Sequence, residues 1–192
     1  AIELLQALSK TASALKSALR IKPHWYTIEF AADTPQEIVK RDCFQGAPQF
    51  CTVAQADVEG AELLEEAVTH HCILAEYGRE RAWWNFIEQL SKHCYSPAKA
   101  RSASANVTCS RRALELSGIR KSFVERCVQE RGLLFLEDDR EARVWGDTSQ
   151  VAVRINGWRY SGPLDAETLL SVICRSFLDS PSACSGFVVV SQ

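Results

Sequence analysis

The chain has 192 residues, 46% hydrophobic and 24% charged, the composition of a globular protein long enough to bury a sizeable core. A formal net charge of −2 with no basic stripe gives nothing to neutralise phosphates, which argues against a nucleic-acid partner. No apolar run approaches the roughly 18 residues needed to cross a bilayer, so any membrane attachment is expected through an anchor outside this segment.

Residues 2 to 20 place Leu4, Leu5, Leu8, Ala12, Leu15 and Leu19 at a helical period, and Pro23 ends that element. Trp25 to Phe30 is rich in aromatic and β-branched residues and reads as a strand. Asp33-Thr34-Pro35 breaks the chain, with Asp33 or Thr34 placed to cap a short helix over 36–40. Residues 42–60 read as a loop. Helices are expected over 61–77 and 80–94, and the latter carries Trp83, Ile87, Leu90 and Cys94 on one side. Residues 97–107 are small and polar, suiting an exposed loop. Thr108 is placed to cap a helix over 109–117 that Gly118 stops, and a further short helix is expected over 120–130. Near the C-terminus Val151, Val153 and Ile155 alternate with Ala152 and Arg154. Asn156-Gly157 then supplies the two positive-φ positions of a type I′ hairpin turn, and Trp158-Arg159-Tyr160 returns as the partner strand. Gly162-Pro163 turns the chain and Asp165 caps a final helix over 166–178.

Eight cysteines, at positions 43, 51, 72, 94, 109, 127, 174 and 184, form no Cys-x-x-Cys pair. That pattern disfavours structural zinc and dithiol redox chemistry and favours structural disulfides in an oxidising compartment: the secretory lumen, the cell surface or the exterior. The sequon Asn106-Val107-Thr108 beside Cys109 agrees, with Asn106 as the candidate glycan site. Short pairings use the sulfurs most economically: Cys43–Cys51, Cys94–Cys109 and Cys174–Cys184, leaving Cys72–Cys127 by exclusion. A second set joins Cys72 to Cys94 and Cys109 to Cys127, and sequence alone leaves both open. The absence of methionine and the apolar tail Phe187-Val188-Val189-Val190 read as a segment of a longer precursor, with 185–192 starting a linker or strand to a following domain.

Strand, Asn-Gly hairpin, strand, glycine turn and terminal helix together resemble the C-terminal half of a thioredoxin fold. Trp25–Phe30 would then be its central parallel strand. Several motifs also resemble the thioredoxin-like central luminal domain of vacuolar sorting receptors. These are Trp83-Trp84-Asn85-Phe86 followed by Cys94; Ser117-Gly118-Ile119 followed by Cys127; Ile155-Asn156-Gly157-Trp158-Arg159-Tyr160-Ser161-Gly162; and Ile173-Cys174 with Phe177 and then Cys184. The resemblance implies a disulfide-stapled α/β thioredoxin-like fold, one domain over 1–184 with a helical insertion at about 61–145. It also implies a protease-associated domain before the segment and EGF-like repeats after it.

Two departures bear on activity. The stretch after the expected central strand, Ala31-Ala32-Asp33-Thr34-Pro35-Gln36, has no sulfur where a redox thioredoxin keeps its Cys-x-x-Cys. Val151-Ala152 stands where thioredoxin-like folds keep a cis-proline, so a trans bond is expected.

Other constellations carry less. His70-His71-Cys72 with His93-Cys94 suggests a metal cluster, yet adjacent helical histidines point about 100° apart. They read instead as solvated or capping residues, and no metal or cofactor is expected. Glu137-Asp138-Asp139 lacks calcium-loop spacing and reads as a solvated acidic turn. No hydrolase elbow or zinc-protease motif is present. Trp83-Trp84 is expected to place one ring inward and to leave the other near the surface, as core residues or as a partner-facing anchor. The expected function is a non-catalytic protein-interaction module of a larger receptor, binding a protein or peptide ligand or neighbouring domains of its own chain. Two other readings are a divergent thiol oxidoreductase using Cys43 and Cys51 and a building block of an extracellular assembly.

Overall fold

The computed structural model describes residues 2–15, 18–54, 58–77, 80–95, 107–142 and 152–187. Asn106, Val151, the polar loop at 97–106 and the tail beyond Phe187 lie outside them. The chain forms two compact units, one of residues 22–148 and one of 1–21 with 149–192.

The larger unit is helical. It contains α2 (Gln36–Asp42), α3 (Gly60–Tyr77), α4 (Glu80–Cys94), α5 (Val107–Leu116) and α6 (Lys121–Ala142). On α3, Leu64, Ala67, Val68, Cys72 and Ile73 recur at helical spacing and are buried against α6 and α4. Helix α6 runs 22 residues, well past the short helix expected over 120–130. Its buried positions Val124, Cys127, Val128, Gly132, Leu136 and Asp139 continue one face to the end. Trp83, Phe86, Ile87 and Leu90 of α4 close the core and are fully buried.

Glycine is needed at Gly132 for packing rather than for φ. A Cβ there would lie 2.4 Å from Cζ of the Phe44 ring, which is itself buried. Gly132→Val is therefore expected to destabilise the protein by about 1–3 kcal/mol through overpacking, read as a lower urea midpoint at unchanged slope. Gly118 does need its positive φ, 71°. It ends α5 with the Ile119 N–H donating to the Leu114 carbonyl at 3.0 Å, the wide loop of a Schellman cap.

Three disulfides pin this unit. Cys72–Cys127 joins α3 to α6, and Cys94–Cys109 joins the end of α4 to the start of α5. Cys43–Cys51 closes the turn after α2, where Val39, Ile28 and Phe30 pack around the two sulfurs.

The segment expected as the central parallel strand is extended but is not a strand of a sheet. Ile28 makes an antiparallel bridge to Cys51, exchanging N–H···O bonds of 2.8 and 2.9 Å, and Phe30 N–H reaches the Pro48 carbonyl. Its β-propensity is met by pairing with the disulfide turn instead. Helix α2 also differs from expectation: Pro35 is its N-cap, with no side-chain cap from Asp33 or Thr34. Thr108 lies inside α5, which begins at Val107, so it is not a cap.

The smaller unit packs α1 (Ile2–Leu15) on α7 (Ala166–Arg175) and holds the two-stranded sheet of β1 (Val153–Ile155) and β2 (Trp158–Tyr160). The register pairs Val153 with Tyr160 and Ile155 with Trp158, and the turn between them places Asn156 at φ 50° and Gly157 at φ 85°. Asp165 caps α7 by accepting the Thr168 N–H at 2.8 Å. Cys174–Cys184 ties α7 to the turn after it, with Leu15 and Phe177 packed alongside.

Candidate functional site

The most developed polar constellation lies inside the larger unit, where the extended segment before Ile28 meets α3, α4 and α6. Asp139 sits on the buried face of α6, one turn beyond Leu136, and its side chain is 0% exposed. Its Oδ1 is 2.9 Å from His24 Nδ1, and its Oδ2 is 2.9 Å from His71 Nε2. Oδ2 also accepts the backbone N–H of Trp25 at 3.1 Å. Burial by itself would push this carboxyl up. The hydrogen bonds from His24 and His71, the charge of His71 and the Trp25 N–H outweigh it and hold Asp139 below the usual carboxylate range. The group is thus an ionised buried carboxylate with three donors around it.

His70, next to His71, turns to the other side. Its Nδ1 is 2.9 Å from Trp83 Nε1. Indole nitrogen only donates, so His70 Nδ1 carries the lone pair and its proton sits on Nε2. Burial, with a smaller contribution from the neighbouring His71, lowers this ring to a pKa of about 3, so it stays neutral. Trp25 lies over the pair, 5.1 Å from His70 and 4.9 Å from His71 between ring centroids. Phe135 of α6 stacks on His71 with an interplanar angle of 12°. The 100° step between adjacent helical positions thus sends one imidazole to α4 and the other to α6.

Chemically the arrangement is a clamp. Both carboxylate oxygens are occupied, and among the described residues no hydroxyl or thiol is hydrogen-bonded to His24 or His71. An Asp–His pair without a nucleophile in reach lacks the first requirement of acyl-transfer chemistry. The imidazole nitrogens point at the carboxylate, and among the described residues no group of three or more His, Cys, Asp or Glu side chains is arranged to hold a metal ion.

A second carboxyl, half-buried, lies on α3. Glu66 Oε1 accepts the Tyr95 hydroxyl at 2.9 Å, and burial, opposed by that bond, raises Glu66 to a pKa of about 7. Folding therefore retains a proton that the unfolded chain releases near the ordinary glutamate value. The stabilisation is complete below pH ~4.5 and is lost as pH rises through about 7. Glu66→Gln is expected to flatten the fall in urea midpoint between pH 5 and 7.5; an unchanged slope would place the buried acid elsewhere.

Several residues singled out from sequence sit differently in the structure. Trp83 and Trp84 are 0% and 2% exposed, so neither faces a partner; their rings meet edge to face at 4.7 Å within the core. The tight α4–α3–α5 packing leaves no surface at either position. His70 and His71 are not solvated, and Glu137-Asp138-Asp139 is not a turn: all three lie in α6, and Asp139 is interior. The eight cysteines fall in the three short pairs and the Cys72–Cys127 pair left by exclusion, and Cys43 and Cys51 have no exposed surface. The sequence gives no reading for His24, Glu66 or Tyr95, and it offers Trp25 only as the start of a strand and Asp139 only as part of an acidic turn. Extending the α6 period through Val128, Gly132 and Leu136 would have placed Asp139 on the apolar face, the one signal available for it.

These features define a class: a mostly helical, disulfide-stapled module with an Asp139–histidine cluster closed on itself in its interior. The model of the vacuolar sorting receptor thioredoxin-like domain matches residues 1–174, and the chain belongs to that family. No curated protein sequence matches it. A family of receptor domains and four disulfides fit a secretory or extracellular compartment, and no described helix is long and apolar enough to cross a membrane.

Proposed function

We propose that this chain is a non-catalytic protein-interaction module of a larger secretory-pathway receptor, contributing to the binding of a protein or peptide cargo or to the spacing of neighbouring domains. One observation carries the reading: all eight sulfurs are bound in four disulfides, none at the position where a thioredoxin frame does redox chemistry. Burial of Cys43 and Cys51 supports it further, because thiol–disulfide exchange needs in-line access of a thiolate to sulfur. In this reading residues 1–184 act as one thioredoxin-like domain with helices 61–145 inserted, 185–192 lead to the next domain, and Asn106 carries a glycan.

The test has two arms. The purified chain is assayed for reduction of insulin disulfides, and the precursor lacking residues 1–187 is expressed in the source cell while hydrolase activity in the medium is measured. The expected results are no turnover dependent on Cys43 or Cys51 and increased secretion of vacuolar hydrolases. Turnover that vanishes in Cys51→Ala, or normal hydrolase retention without the module, overturns the proposal.

A further inference from the structure

The face of α6 opposite the Asp139 cluster carries a different arrangement. The guanidinium carbons of Arg120 and Arg126 lie 4.8 and 4.6 Å from the centroid of the Phe123 ring. Both arginines are exposed and Phe123 is half-buried between them in sequence, at a spacing of three. Most other cations around this end of the helix are matched: Lys121 with Glu125, Arg111 with Glu65 and Glu125, and Arg131 with Glu76. Among the described residues, neither Arg120 nor Arg126 has a carboxylate partner. Beside them opens a groove of about 220 Å3, floored at Cys127 and bordered by Phe123, Arg126, Glu130 and the Arg131–Glu76 pair.

Stacking on one aromatic ring restrains two long side chains whose freedom an exposed ion pair would otherwise have to remove, and it leaves their N–H edges for hydrogen bonding. The unmatched charge calls for carboxylates, which guanidinium binds in a planar, two-point manner. The groove lining decides what bears them. Among the described residues Glu130 also lacks an ion-pair partner, and its exposed charge would repel the continuous negative charge of a sulfated glycan or an anionic lipid surface. A peptide can set separated carboxylates on Arg120 and Arg126, lay an apolar side chain on Phe123, and turn backbone N–H groups toward Glu130.

We propose that the surface formed by Phe123 and Arg126 of α6 with Arg120 just before it is a docking surface for a short acidic peptide segment in which carboxylates flank an apolar residue. This rests on the receptor-module reading and adds the chemistry of what the module takes. The test uses the full chain with its disulfides intact and a fluorescein-labelled nonapeptide of repeating Glu-Leu-Glu, followed by fluorescence anisotropy at low salt. Saturable binding is expected, weakened at least tenfold by the Glu-to-Gln version of the peptide and by Arg120→Glu with Arg126→Glu. Arg112→Gln, an exposed arginine on α5, should change affinity less than twofold. Should the charge reversal unfold the chain, Arg120→Gln with Arg126→Gln, checked by an unchanged urea midpoint, gives the same reading. No saturable binding, equal binding of the Gln peptide, indifference to the arginine substitutions, or a heparin oligosaccharide binding tighter than the peptide would each overturn the proposal. Because it reads binding in solution, the outcome is independent of whether deleting the module mis-sorts hydrolases.

Discussion

Replacing Cys72 and Cys127 together by alanine is expected to cost roughly 4 kcal/mol of unfolding free energy, the largest loss of any of the four bridges. The two cysteines are 55 residues apart, against 15, 10 and 8 for the other pairs. In the chain-entropy account the shorter loops contribute roughly 2.5–3 kcal/mol each. The Cys94–Cys109 bridge lies inside the long loop and shortens its effective length, but the dependence is logarithmic, so the expected loss stays roughly 4 kcal/mol. Both sulfurs are buried, and alanine leaves no polar group behind, so the loss combines the crosslink with the small cavity that the two sulfurs vacate. Urea unfolding of the double variant and of the Cys43→Ala/Cys51→Ala variant gives the comparison. Equal losses from the two would mean that compactness of the unfolded chain, rather than loop length, governs the effect.

Asp139→Ala should be comparably damaging, at about 3–5 kcal/mol, because it removes a buried charge and leaves its donors with nothing to bind. His71 and the Trp25 N–H lose their acceptor inside the core. His24→Ala should cost much less, since that side chain is 47% exposed and water can replace it. The pH dependence has a defined sign. With the native carboxyl held below its unfolded value, the contribution of Asp139 is complete above pH ~4 and is lost as pH falls through the depressed native value. The clamp should therefore be intact in a mildly acidic compartment, whereas the Glu66 contribution grows there. A wild-type urea midpoint that drops sharply between pH 7 and 5 would contradict both assignments.

How far the chain could be read depended on the range of the forces involved. Helix α4 matches its expected limits, and the positive-φ turn at Asn156-Gly157, the Gly118 stop and the Asp165 cap are where expected, because each depends on residues within one or two turns. The two candidate disulfide sets differed only in which helices lie side by side. Cys72 could pair with Cys94 or Cys127, and packing of α3 against α6 decided for Cys127. Trp25–Phe30 departs from the expected strand for the same reason. Its β-propensity was legible, but its partner, the turn at Cys51, is set by α2 and the Cys43 bridge.

The sequence by itself determined the helical periods, the hairpin and a cysteine content that implies an oxidising compartment. These are local patterns or simple counts, and their physics is complete within a short stretch of chain. Tertiary structure alone decided the fate of the polar residues. His71 and His24 reach Asp139 across 68 and 115 positions, and both tryptophans of α4 are covered by helices that follow or precede it. A carboxylate reads as solvated in sequence because isolated charges avoid the interior. Asp139 goes inside because three donors from distant segments arrive with it, and no local pattern records that they will.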